Sequence, residues 1–349
     1  MGSFKITMNH EIGKADCRTQ CIRDIVEFYG LKLTIPLSFG LGEGLGINYW
    51  FEKGTKVPVM VLNGRELQTE YNLCRNIGLG MKCFIEPDKA EAEEILKQKV
   101  SGGQPIMLDT DRYYLSYIGN RFGKTHFGLH SVIAVDYYDK CFGLYDFLSP
   151  EIIWCPDTEL AEARSSDWKP FTPENKWYEF YSENMKLKLE YQDFADSIKN
   201  VCSKMLSTDI NTGVNGIRTY VHEISEFEPL LEEKKMKHYI NLQINFLAVY
   251  IGQLDTSGTM SRHLYAEYLD EVGYMFDIPT YREMSNELKN LALNWKFTVS
   301  FLNTHDNLNE KLQFLKTQLM KIAELEEGFF RRLLKYASKS VSLAAGRQK

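Results

Sequence analysis

Two cysteines and two histidines stand at spacings that chemistry uses: Cys17 and Cys21 in "DCRTQC", and His126 and His130 in "HFGLH". CxxxC with HxxxH makes a Cys2His2 donor set of the kind that holds structural zinc. Against zinc, the two pairs lie over a hundred residues apart, and a cysteine one turn inside a helix need not face the same centre as one at its start. The other chemistry is nucleophilic catalysis. A cysteine reacts as its thiolate, and the unpaired N–H groups at a helix N-terminus lower its pKa. A base must then reach the sulfur, and an acidic group must orient the base. Cys17, His130 and Asp146 follow one another as cysteine, histidine and acid, each at an element boundary, and form the catalytic set to which the sequence points. Asp136 and Asp139 are weaker orienters, because Asp136 shares the strand of His130 and Asp139 falls in a turn. No metal site is assigned.

The elements must place these residues. Asp16 is a good N-cap, and Cys17, Cys21, Ile25 and Phe28 then share one helical face before Gly30 closes the helix. Cys17 therefore opens a central helix, whereas Cys21, Cys74 and Cys83 read as packing residues. Strands are predicted at 57–62, 81–85 and 105–108, and helices at 66–77 and 89–100. The segments 131–138, 141–146 and 152–155 predict three strands joined by short turns, an antiparallel meander. The glycine-rich "FGLGEGLGINYW" at 39–50 has neither GxGxxG nor a Walker Lys-Ser/Thr pair, so it reads as a turn-rich segment. From about Asn175 helical periodicity takes over. Leu308, Leu312, Leu315, Leu319, Ile322, Leu325 and Phe329 mark a bundle helix. The fold class is thus α+β followed by an all-α bundle, with the boundary in the proline-bearing "SSDWKPFTPENKW". The expected domains are 1–170, catalytic, and 171–349, helical.

A chain of 349 residues with 44% hydrophobic and 25% charged residues has globular composition and length enough for two domains. A net charge of −6 argues against a general nucleic-acid binder. No apolar run reaches membrane-span length, the start lacks a signal-peptide core, and Ile6 stands where a myristoylation signal wants Ser or Thr. Seven cysteines, an odd number scattered over a long chain, do not read as a secreted disulfide framework. The expectation is a cytoplasmic protein that binds neither nucleic acid nor membrane. An exposed apolar face on a bundle helix would support a homodimer.

The segments "DCRTQCIRDIVEFYGLKL", "PLSFGLGEGLGINYWF", "ELQTEYNLCRNIGL", "GQPIMLDTDRYYLSY" and "HFGLHSVIAVDYYD" resemble, in order and spacing, the N-terminal domain of the butirosin biosynthesis protein H family. Downstream, "SGTMSRHLYAEYLDEVG" is similar to a motif of the helical domain that follows it in many relatives. The resemblance implies a papain-like cysteine protease fold used for acyl transfer in antibiotic biosynthesis. The family's nucleophile falls on Cys17, its histidine on His130 and its acid on Asp146. It implies an acyl group held as a thioester on an acyl carrier protein, passed through an acyl-cysteine to a small-molecule amine to form an amide. The sequence is also similar to a cysteine-protease-like enzyme of closthioamide biosynthesis that joins carrier-bound acyl units to a diamine. No cofactor is implied, since the acyl group arrives on the carrier's phosphopantetheine. Relatives commonly place a histidine directly before the cysteine, where this chain has Asp16.

Further expectations attach to this reading. The backbone N–H of Cys17 is a natural oxyanion donor, with Asn9, His10 and Gln20 as candidates for a second. The segments 40–46, "NYWF" and "DRYYLSY" are candidates to wall a pocket, and Asp109, Asp111 or Glu43 to bind a cationic acceptor. Lys234, Lys235 and Lys237, or Arg331, Arg332, Lys335 and Lys339, are candidates to dock an acidic carrier. Two rival classes stand beside it: a cysteine peptidase, amidase or thioester hydrolase on the same residues, and a non-catalytic binding protein in which the triad is accidental and the helical domain does the work.

Overall fold

The computed structural model describes residues 6–12, 15–53, 57–169, 171–254 and 257–347. In chain order the elements are α1 (Cys17–Phe28), α2 (Ile35–Leu41), β1 (Leu45–Glu52), β2 (Val59–Arg65), α3 (Thr69–Ile77), β3 (Gly80–Phe84), α4 (Lys89–Ser101) and β4 (Ile106–Thr110). Two 3-10 turns follow, then β5 (His130–Tyr138), β6 (Cys141–Tyr145), β7 (Ile153–Pro156), α5 (Asp157–Arg164) and β8 (Trp177–Tyr181). The remainder is helical: α6 (Tyr191–Met205), α7 (Gly213–Glu226), α8 (Lys234–Val249), α9 (Arg262–Met275), α10 (Pro279–Thr304) and α11 (Leu308–Arg347). No helix among the described residues is long and apolar enough to cross a membrane.

The chain forms two compact units. The first comprises Met1–Ser38 and Ile77–Lys188. Its sheet runs β3-β8-β4-β5-β6-β7, antiparallel at every pairing. Alternate residues Ile106, Leu108, Val132, Ala134, Phe142, Leu144 and Trp177 share one core with Leu96 and Val100 of α4 and Leu160 and Ala163 of α5. That is the period-2 pattern of a strand face under helical cover. Asp109 and Ser131, cross-strand partners in the ladder, instead meet Arg18 of α1. This is the expected α+β plan of a helix against an antiparallel sheet, followed by helices.

The second unit comprises Phe39–Asn76 and Leu189–Lys349. It holds the β1–β2 hairpin and α6 to α11. The motif "SGTMSRHLYAEYLDEVG" anchors this core. Arg262, fully buried, pairs with Glu326 at 2.7 Å and donates to the carbonyls of Gly46, Gly64 and Met260. Trp295 Nε1 donates to the same Glu326 at 2.8 Å.

Three expectations need correction. The division 1–170 and 171–349 cuts through the sheet: Trp177–Tyr181, inside the segment read as a boundary, is the strand between β3 and β4. Residues 39–76 belong with the helices rather than the sheet. Pro170, at the expected boundary, lies outside the described residues. The glycine-rich segment is not only turn: it ends α2 and begins β1, the bend resting on the positive φ of Glu43 and on Gly44, whose Cβ would press into Phe39. Finally, Phe28 and Cys83 are exposed, because the α1 face turns outward at its end and β3 is an edge strand.

Candidate active site

Helix α1 starts where its caps require. The Asp16 carboxylate accepts from the Arg18 and Thr19 backbone N–H groups, both at 3.0 Å, and from the Thr19 hydroxyl at 2.7 Å. At the other end Gly30 adopts φ 106, the left-handed conformation of a helix C′ residue. Cys17 is consequently the first helical residue, and the expected helix start holds.

A buried network fixes that end on the sheet. Arg18 Nη1 donates to Asp109 at 2.6 Å and to the Ser131 hydroxyl at 3.3 Å, and Nη2 to the Tyr178 hydroxyl at 3.0 Å. Tyr178 donates in turn to Asp109 at 2.9 Å. Strand β5 is thereby held with its first residues against the Cys17 sulfur, which accepts from the Ser131 N–H at 3.4 Å. When protonated, the thiol has the Leu129 carbonyl as acceptor at 3.8 Å.

His130, fully buried, opens β5, and Asp146 directly follows β6, the neighbouring strand. Its Nε2 donates to Asp146 Oδ2 at 2.6 Å. Its Nδ1 is buried and claimed by no other hydrogen-bonding group, which leaves that nitrogen for Cys17. Asp146 also accepts from the Tyr117 hydroxyl at 2.9 Å and the Leu148 N–H at 3.1 Å.

The three groups tune one another. Burial pushes the Cys17 thiol up, but hydrogen bonding and charge from His130 outweigh it, helped by the Ser131 N–H and opposed by Asp16, so the thiol lies below its ordinary value. Burial alone would depress His130; the charge and hydrogen bond of Asp146 and the Cys17 sulfur instead raise it to about 9. Asp146 is lowered: burial acts against ionisation, and His130, Tyr117 and the Leu148 N–H overcome it. The balance favours thiolate, imidazolium and carboxylate in a row, the charge state that a nucleophilic cysteine requires.

Other sequence candidates go elsewhere. Cys21 is buried one turn deeper, and burial raises its thiol well above the ordinary value. His126 Nδ1 contacts Asp111 at 2.7 Å, its ring stacked between Tyr113 and Trp168. Among the described residues no group of three or more His, Cys, Asp or Glu is placed to hold a metal. Asp136 accepts from its neighbour's N–H, and Asp139 sits in the β5–β6 turn with φ 48. Asn9 donates to Glu27 at 2.9 Å, and Gln20 is buried within α1. Each carboxylate suggested for a cationic acceptor is engaged: Asp109 by Arg18, Asp111 by His126 and Ser166, and Glu43 by Arg75, Asn200 and Lys204. The "NYWF" aromatics lie in the second unit, whereas "DRYYLSY" supplies Tyr117. Lys234, Lys235 and Lys237 are exposed at the start of α8; Arg331 and Arg332 pair with Glu327 and Glu287.

Two residues join the site in roles other than the pocket wall and the second oxyanion donor expected of them. Tyr117 reaches Asp146 from the 3-10 turn before β5. His10 lies beneath the acid: Nδ1 contacts Asp24 Oδ2 at 2.5 Å, and Nε2 contacts the carbonyls of Asp146 and Ser149, both at 3.0 Å. Both its ring nitrogens face acceptors only, which is the environment of an imidazolium.

Among solved structures, the peptidase domain of Streptococcus ComA, titled a bi-functional ABC transporter involved in a quorum sensing pathway, is similar over 50% of this chain and 97% of its own. The identity is 11% and the TM-score 0.32. No protein of curated function matches. Residues 158–333 match the family described as Domain of unknown function (DUF4872), half of the chain. Residues 16–146 match that of Butirosin biosynthesis protein H, N-terminal, a stretch that begins at the cap of α1 and ends on the carboxylate holding His130. The chain thus belongs to the DUF4872 family, and its first part is similar to the N-terminal domain of Butirosin biosynthesis protein H.

Proposed function

We propose that the protein is an acyltransferase of antibiotic biosynthesis, moving an acyl group from an acyl carrier protein thioester, through acyl-Cys17, to a small-molecule amine. The observation that carries this reading is the buried series Cys17, His130, Asp146, with the thiol lowered and the imidazole raised, in a stretch that matches a family named for a biosynthetic protein. Cys17 acts as nucleophile, His130 as base and acid, and Asp146 as the group that orients and charges the imidazole.

The Cys17 thiolate attacks the thioester carbonyl. The oxyanion forms beside the Cys17 backbone N–H at the start of α1, a donor worth about 3 to 4 kcal/mol at such a position. Collapse expels the phosphopantetheine thiolate, which takes its proton from His130, and leaves acyl-Cys17. Exchange between thioesters is nearly balanced, so positioning governs this half-reaction. The amine then attacks the acyl carbon, His130 Nδ1 takes its proton, and the Cys17 thiolate leaves as the amide forms. No resident cofactor takes part. An acidic carrier would dock on exposed lysines, with Lys234, Lys235 and Lys237 the candidates. The seven free cysteines suit work in the reducing cytoplasm.

Incubation with an acylated carrier is expected to add the acyl mass to the intact protein, to fail with Cys17→Ala, and to reverse on adding amine as amide accumulates. Release of free acid at a rate no amine changes would assign the site to a hydrolase or peptidase instead. Transfer fully retained by Cys17→Ala would overturn the nucleophile assignment, and absence of both acyl adduct and turnover in the wild type would leave the chain a binding protein.

A further inference from the structure

Arg112 is a cation without a counterion among the described residues. Its guanidinium carbon lies 5.6 Å from the Phe127 ring centroid and 5.5 Å from that of Phe147, so two aromatic residues hold it in place. Its backbone N–H donates to the Phe127 carbonyl at 3.2 Å, which fixes the base of the side chain. The guanidinium forms no hydrogen bond and no ion pair among the described residues, and its Nε is sealed from solvent without a partner. The residue as a whole is half-buried, as are Phe127 and Phe147, so the group still opens outward. The nearby carboxylates have other tasks: Asp111 holds His126, Ser166 and two backbone N–H groups, and Asp146 holds His130 and Tyr117.

The position matters as much as the charge. Phe147 also packs edge-on against His130, at 5.7 Å between ring centroids and 65° between planes. Through this shared ring the guanidinium lies no more than about 11 Å from the imidazole. Its field also reaches the Tyr117 hydroxyl, which sits on Asp146. A guanidinium presents its N–H groups in a planar fork matched to carboxylate and phosphate oxygens. A cation left unpaired while every neighbouring carboxylate is engaged is arranged to receive an anion from outside the chain.

We propose that Arg112 is an anion subsite on the His130 side of the candidate active site, binding a carboxylate or phosphate carried by the substrate. This rests on the acyl-transfer reading, in which a phosphate comes with phosphopantetheine and a carboxylate with an ω-carboxyl acyl group. Arg112 then selects anionic substrates and sets their reach to the thiolate.

The test uses irreversible alkylation, which needs no acyl transfer. Cys17 of the full chain is alkylated, with loss of bromide, by three bromoacetamides: one with a neutral amide tail, one with a carboxylate tail of equal length, and one carried on phosphopantetheine. The wild type is expected to react faster with at least one anionic reagent than with the neutral one. That ratio should fall about tenfold in Arg112→Gln, be partly kept in Arg112→Lys, and shrink in the wild type as salt is raised. Preference for the carboxylate reagent alone assigns the subsite to the acyl chain, and preference for the phosphopantetheine reagent alone to the carrier arm. A wild type with no anionic preference, or a ratio that Arg112→Gln leaves intact, overturns the proposal. Each ratio is taken within one protein preparation, so partial misfolding does not mimic the result. Failure of the acyl-transfer reading shows up separately, as absence of acyl-Cys17 from the carrier experiment.

Discussion

Asp146 receives the His130 Nε2–H and the Tyr117 hydroxyl on a single oxygen, so its charge sets the state of the whole series. Asp146→Asn is expected to let the His130 pKa fall from about 9 and the Cys17 thiol rise, and to lower kcat by about a thousandfold or more. In the wild type, alkylation of Cys17 by iodoacetamide should begin at a pH below the ordinary thiol range, and its pH dependence should change again near 9 as His130 loses its proton. A midpoint that Asp146→Asn leaves unmoved would contradict the coupling. Asp16 separates two effects: its carboxylate caps α1 and its charge raises the thiol. Asp16→Asn keeps a capping oxygen and removes the charge, so the alkylation midpoint should move down while Tm changes little. This bears on the family's usual histidine here, since any uncharged or cationic residue relieves the same opposition. His10 is a third test. Burial would lower its pKa, but Asp24 and the two carbonyls raise it, so its contribution to stability is full below about 6.5 and lost as pH rises through the raised value. His10→Gln is expected to cost about 1 to 3 kcal/mol near pH 6 and less toward pH 9, read as a Tm difference that narrows. A gap independent of pH would count against the imidazolium. Cys17, His130 and Asp146 were legible as a set because each sits at an element boundary. Tyr117 and His10 were not, because their roles depend on a turn and on an approach across the fold that no local pattern encodes.

The elements that carry the site are those whose ends the sequence marks. Asp16 and Gly30 bracket α1, and the β5 and β6 segments are set apart by a tight turn at Asp139 and Lys140, both at positive φ. The strands that escape a reading of local pattern do so for physical reasons. The β1 strand begins among glycines, whose spacing suggests bending, and its apolar face is completed by the hairpin partner β2 and by α6 and α7, far later in the chain. The β8 strand, "WYEFY", follows prolines and lies between strands from far earlier in the chain, so its burial is non-local. One glycine in this region is tied directly to the site. Gly128 stands two residues before His130, and a Cβ there would lie 1.9 Å from the Phe171 carbonyl oxygen. Gly128→Ala must displace backbone on one side or the other, and so is expected to cost about 1 to 3 kcal/mol and to shift the approach of β5 to Cys17. Lower Tm together with slower Cys17 alkylation checks this; an alanine variant equal to the wild type in both would show that the contact yields freely.

The two compact units interleave along the chain, and this governs what can be removed. Residues 39–76 precede the whole six-stranded sheet in sequence yet belong to the helical unit, whereas β8 follows the helix α5 and belongs to the sheet. A chain ending at residue 170 loses β8, which is the partner of β3 and contributes buried Trp177 and Phe180. It also loses the Tyr178 hydroxyl that closes the Arg18 and Asp109 network behind Cys17, leaving those charges buried with one partner fewer. A chain ending at residue 188 restores the sheet but strips the β1–β2 hairpin of its helices. Tyr49 then loses Glu223, the Met60 N–H loses Gln243, and Leu45, Ile47, Val61 and Leu62 lose their cover. Each truncation therefore exposes apolar surface and orphans buried polar groups, by different routes. Both fragments are expected to lack the cooperative thermal transition of the full chain and to alkylate all their cysteines at similar rates, since burial no longer protects Cys21 or Cys74. The check is thermal unfolding followed by near-UV circular dichroism, with mass mapping of the alkylated cysteines. A cooperative melt with Cys17 selectively labelled in the 1–188 fragment would show that the first unit stands on its own and that residues 39–76 tolerate exposure.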